Sequence, residues 1–121
     1  MAGPDMRDSG NEAHMKPSDL AMAVEEQPNG ALEVWISEES DRRLFEEVAA
    51  LLASQFAGRW TAKVDGPDQR SWDLAVDDVV VTLHLEHFAG ISLRPSKENA
   101  DMEKANQLIL SMARLLQDRV D

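Results

Sequence analysis

The segment "SWDLAVDDVVVTLHLEHFAGISLRP", Ser71 to Pro95, decides how this chain folds. Trp72, Leu74 and Val76 alternate with polar or small residues, and Val79, Val81, Leu83 and Leu85 do the same after Asp77-Asp78. Period-two alternation marks strands with one buried face. With Asp77-Asp78 as a two-residue turn, Val76 faces Val79, Leu74 faces Val81 and Trp72 faces Leu83. Every pair on that side is then apolar, and a one-residue slip would turn the same side chains outward. The next turn is read as a three-residue loop, Phe88-Ala89-Gly90, because such loops end on a left-handed residue and Gly90 supplies it. That loop pairs Leu85 with Leu93, His87 with Ile91, His84 with Arg94 and Glu86 with Ser92.

Towards the C-terminus, Pro95 closes the last strand and Ser96 is the expected helix cap. Met102, Ala105, Leu108, Ile109, Met112, Leu115, Leu116 and Val120 follow at helical spacing and form one apolar stripe. Towards the N-terminus, "RWTAKV" reads as a strand with Trp60, Ala62 and Val64 on one face, and "DGPDQR" reverses the chain. Before it lies a second amphipathic helix carrying Leu44, Phe45, Val48, Leu51, Leu52 and Phe56. Ser37 is its expected N-cap, and Gly58 its expected left-handed C-terminal stop. Leu32, Val34 and Ile36 share one face of the preceding strand, with Glu33 and Trp35 on the other. The order β-α-β-β-β-β-α, with one apolar face per element, predicts a two-layer α+β fold. Both helices pack on one side of a mostly antiparallel sheet.

Residues 1–30 differ in composition. Asp5, Asp8, Glu12, Asp19, Glu25 and Glu26 stand against Arg7 and Lys16, and large apolar side chains are few. This segment is expected to be a mobile acidic tail, with at most one helical turn over Ala21–Val24. Residues 31–121 form the single domain that a chain of 121 residues accommodates.

The chain carries 23 acidic and 12 basic residues, a formal charge of −11. That surface repels phosphate backbones and anionic lipid, so neither nucleic acid nor a membrane is an expected partner. No apolar run approaches the roughly 18 residues of a membrane span. The N-terminus also lacks a signal-peptide core. Cysteine is absent, which removes thiol chemistry and Cys-based zinc sites and suits a cytoplasmic location. No phosphate-binding glycine loop and no GxSxG are present, and no cofactor is expected.

The candidate chemistry sits in "HLEH", His84 to His87. By parity His84 and Glu86 share the outer sheet face while His87 points to the core, so the three cannot surround one metal. With Arg94 opposite His84, the expected arrangement is a solvated strand-face network of Arg94, Glu86 and His84 without metal. Trp35, Val80 and Phe88 are the apolar candidates on that same outer face, forming a spot for a protein partner. These six residues are the candidate partner-binding set. The composition of a small, acidic, cysteine-free α+β chain is similar to that of bacterial adaptors, secretion chaperones and immunity proteins. That similarity implies a non-enzymatic protein-interaction module whose partner is another protein, a second copy of itself included. The alternative is a small enzyme or metal-binding protein centred on His84, Glu86 and Arg94.

Overall fold

A computed structural model of the chain describes residues 22–119. Six strands form one antiparallel sheet: β1 (Ala23–Glu26), β2 (Leu32–Ser37), β3 (Arg59–Asp65), β4 (Gln69–Val76), β5 (Val79–Glu86) and β6 (Gly90–Pro95). Two helices, α1 (Arg42–Gln55) and α2 (Met102–Arg119), complete an α+β fold. The sheet order is β1-β2-β6-β5-β4-β3, so α1 carries the chain from β2 across three strands to the far edge. Both helical stripes share one buried cluster with a single sheet face. Phe45, Val48 and Leu52 meet Leu74, Leu83 and Leu93 there, together with Ile109, Met112 and Leu116.

The β4–β5 register is the expected one: Val76 faces Val79, Leu74 faces Val81 and Trp72 faces Leu83. The β5–β6 register is not. Glu86 pairs with Gly90, leaving His87-Phe88-Ala89 as the three-residue loop, and Leu83, not Leu85, faces Leu93. Loop length was therefore read correctly but its frame lay one residue too far along. Gly90 does adopt a positive φ, +113°. A second constraint fixes it in place, since a Cβ there would run into the carbonyl of Ser37 and the backbone of Glu38.

Both helix starts differ from expectation in the same way. Asp41, not Ser37, caps α1 by accepting from the amides of Arg43 and Leu44. Asp101, not Ser96, accepts from Lys104 N ahead of α2. Ser37 and Ser96 each cap a short turn upstream instead, accepting from Glu39 N and Glu98 N. At the end of α1 the left-handed residue is Ala57, with φ +53°, while Gly58 N donates to Ala53 O. Gly58 is required for closeness, because a Cβ on it would lie 2.7 Å from Leu74 Cδ1.

Two further corrections concern strands. Ala23–Glu26, assigned by composition to the tail, pair with β2 as an edge strand. The proposed helical turn over Ala21–Val24 is thus absent for its described residues, and positions 1–21 lie outside them. In β3 a register shift between Trp60 and Ala62 breaks the expected parity. Past that bulge Lys63 pairs with Trp72 and Val64 with Ser71, so Ala62 and Val64 face outward. Bulges insert one residue into one strand, which inverts every face beyond them.

Side chains tie the layers together at several points. Asn99 brackets Val80, accepting from its amide and donating to its carbonyl. Asn106 of α2 does the same for Leu32 N and Gly30 O. The Arg70 guanidinium lies between the Phe45 and Trp72 rings, 5.3 and 5.2 Å from their centroids, and pairs with Glu46 and Asp65. On the surface, a hydrogen bond from Lys104 holds the Asp78 carboxyl below its ordinary value, and the same bond raises Lys104. A lowered carboxyl stabilises above its unfolded pKa and loses that effect as pH falls through the folded one. A raised lysine loses its contribution as pH rises through its folded value, so the pair acts across the neutral range.

Gly30 and Gly90 separate backbone strain from close approach. Both have positive φ, but a Cβ at Gly30 meets nothing within 4 Å. Gly30→Ala is expected to cost about 1–2 kcal/mol from backbone strain alone. Gly90→Ala is expected to cost more than about 4 kcal/mol, since the Ser37–Glu38 backbone must move. Urea unfolding of the two variants measures the difference, and equal losses would contradict the contact.

Candidate functional site

The face of the sheet opposite the helices collects the chemistry. Cross-strand registers align Trp35, Ser92, His84, Ser71 and Val64 in one row across β2, β6, β5, β4 and β3. A second row holds Arg94, Thr82 and Asp73. His84 therefore has a serine on each side, and Arg94 stands opposite Thr82. The expected pairing of His84 with Arg94 fails because the hairpin frame is displaced.

His84 is also buried. Its side chain is 6% exposed, which overturns the expectation of a solvated strand face. Both ring nitrogens are engaged: Ser71 Oγ lies 2.7 Å from Nδ1, and Glu86 Oε1 lies 3.1 Å from Nε2. A carboxylate only accepts, so Nε2 donates to Glu86, and Nδ1 is left to the Ser71 hydroxyl, which can donate to it or accept from it. The order serine, histidine, carboxylate is that of a relay which can take a proton from a hydroxyl. Acyl transfer needs in addition donors aimed at a developing oxyanion. β4 and β5 are interior strands whose backbones are paired over the whole of this row, so they leave no free amide beside Ser71.

A buried carboxylate, unlike the exposed Glu86, lies on the same face. Glu33 accepts from Ser92 Oγ at 2.7 Å, from Gln27 Nε2 at 3.3 Å and from Arg94 Nη1 at 3.5 Å. Thr82 Oγ1 donates to Asp73 at 2.7 Å. Among the described residues, no group of three or more His, Asp or Glu side chains is placed to hold a metal ion.

The six candidate residues do not converge. Trp35 is half-buried, donates from Nε1 to Glu25 at 3.4 Å and has Ala23 opposite it, so β1 flanks it. Val80 and Glu86 lie about 20 Å apart along β5, and Phe88 lies beyond Glu86. His87, expected on the core side, is exposed in the loop and donates its amide to Asp68 O. Phe88 is 94% exposed at the hairpin tip, its ring edge-on to His87 with centroids 4.3 Å apart.

Ser71, Ser92 and Glu33 were missed by sequence reasoning, for different reasons. The correctly read β4–β5 register already sets Ser71 opposite His84, so that partner was available. Ser92 needed the right hairpin frame, and Glu33 needed the β2–β6 neighbourship, which no local pattern encodes. His84→Ala should cost about 1–3 kcal/mol, as it deletes a buried group bonded at two nitrogens. A double-mutant cycle with Ser71→Ala should show a coupling of about 0.5 kcal/mol or more. Additive losses in denaturant titrations would contradict the bond.

Among the described residues, no helix is long and apolar enough to cross a membrane. No curated protein and no solved structure matches the chain. Residues 22–115, from the start of the described fold into the last turns of α2, match the family described as "Protein of unknown function (DUF3630)", and the chain belongs to that family.

Proposed function

We propose that this chain is a non-enzymatic, cytoplasmic interaction module of adaptor, chaperone or immunity type that docks a basic protein partner through the Phe88 end of its sheet. The observation that carries this reading is Phe88, an aromatic ring left 94% exposed on an otherwise ordered hairpin. A few residues near the centre of a contact carry most of the binding energy in protein interfaces, and aromatic rings, Phe included, are enriched in interface cores.

Three loops meet at the base of the hairpin that carries this ring. His87 N donates to Asp68 O, Gly90 abuts Ser37 and Glu38, and Arg42 Nη2 donates to Gly66 O at 2.7 Å. They bring Glu38, Glu39, Asp68 and Glu86, all exposed, to the same end. With a net charge of −11, such a rim steers a cationic surface towards the anchor and repels phosphate. A photoreactive phenylalanine analogue at position 88 tests this in cells that naturally make the protein. Discrete heteromeric adducts are expected from position 88 and not from exposed Leu110 on α2. Equal or absent cross-linking at both positions would end the proposal.

A second reading is favoured by the Ser71–His84–Glu86 relay. It makes Ser71 a nucleophile, activated when His84 Nδ1 takes its proton. A fluorophosphonate probe decides between them, because covalent capture needs only an activated hydroxyl. No mass increase on Ser71 is expected, and a stoichiometric adduct lost in His84→Ala would favour the enzyme.

A further inference from the structure

We infer that β3 pairs with β3 of a second copy, antiparallel about a twofold axis at Val64, joining two sheets edge to edge. This rests on the interaction-module reading, names one partner within it and uses the β3 edge rather than the Phe88 ring. β3 is the sheet edge, and residues 61–65 are all exposed. No β3 residue belongs to the buried core, and only Trp60 packs against it from the edge. The strand therefore overhangs the helix layer, and among the described residues its outer backbone has no partner. Unpaired edges invite pairing unless bulges or charges block them.

Both blocking devices are present, and both leave the same segment usable. The bulge between Trp60 and Ala62 disrupts only the start of the strand. Residues facing each other across an antiparallel pair share a sheet face, which restricts the twofold axis to a residue position. An axis at Ala62 runs the pairing into the bulge. An axis at Lys63 sets Lys63 against Lys63. An axis at Val64 instead sets Val64, 65% exposed, against Val64 on the outer face. On the helix face it sets Lys63 against Asp65 twice. The Lys63 ammonium is already held on that face, 4.2 Å from the Trp72 centroid, and the Asp65 carboxylate, whose Oδ1 takes Trp72 Nε1 and Arg70 Nε within its own chain, keeps 51% of its side chain exposed for a further contact. The strand is thus charge-complementary to itself in this one register. The opposite edge is not, because β1 is four residues long and ends in Glu25 and Glu26.

The pairing joins Lys63–Asp65 of each strand, with Ala62 meeting Gly66 just past the strand end, and a contact this short falls among weak interfaces, so the pair forms at high concentration. The chain has no cysteine, so single cysteines report the register directly. Facing residues at the axis approach within about 5.5 Å between Cα atoms, which suits a disulfide. Residues two positions away, such as Ala62, are about 13 Å from their copies. Under mild oxidation at several hundred micromolar, full-length Val64→Cys is expected to form disulfide dimer at least tenfold faster than Ala62→Cys. Sedimentation of the unmodified chain should show a concentration-dependent dimer, abolished by Val64→Lys and by Lys63→Asp. The double swap Lys63→Asp/Asp65→Lys should restore it. A monomer throughout, or equal oxidation rates at the two cysteines, would overturn the inference. Should the double swap fail to fold, the cysteine pair still decides. Cross-linking at position 88 should persist in Val64→Lys, so failure of this pairing leaves partner docking separately measurable.

Discussion

The β4–β5 register depends on the tight turn at Asp77-Asp78, and most of the molecule follows from it. Asp77 takes a positive φ of +55° there, so the chain reverses without shifting the alternation of either strand. Val76, Leu74 and Trp72 then meet Val79, Val81 and Leu83 on the helix side. The same arithmetic sets Ser71 against His84 and Asp73 against Thr82 on the other side. One hairpin thus generates a dry face for two helices and a polar face whose hydroxyls, imidazole and carboxylates satisfy one another.

That hairpin was legible because its signal is redundant: three apolar pairs must agree, and a slip spoils all of them. The two helical stripes were legible for the same reason. Features resting on one residue were not. Ser37 and Ser96 are good capping residues, yet Asp41 and Asp101 lie closer to the apolar stripes and carry the charge that suits a helix N-terminus. Gly90 is left-handed as expected, but one glycine fits more than one loop frame, and the frame the chain adopts puts Ser92 rather than Arg94 opposite His84. The bulge in β3 leaves no mark in "RWTAKV", where unbroken alternation puts Trp60, Ala62 and Val64 inside and Lys63 outside; the bulge turns Lys63 to the helix face, where it lies over the Trp72 ring. β1 was hidden because "AVEE" is short, acidic and exposed, and only its backbone pairing with β2 makes it a strand.

The polar face and two unpartnered features, an aromatic ring and a backbone edge, divide the outer surface between them. Buried His84, Ser92, Thr82 and Glu33 are internally satisfied, which makes that face a rigid platform. Unsatisfied surface is displaced to its periphery: the Phe88 ring at one end and the β3 backbone along one edge. Partially buried polar networks of this kind are costly when broken and specify one arrangement when complete. The proposed docking at the periphery would need no rearrangement of the platform.

The register around His84 is the claim on which the polar face, the hairpin tip and the core all depend. Interstrand nuclear Overhauser contacts on labelled protein read it directly. The structure predicts backbone contacts between β5 and β6 that set His84 opposite Ser92 and Thr82 opposite Arg94, and between β4 and β5 that set Ser71 opposite His84. Contacts setting His84 opposite Arg94 would contradict it.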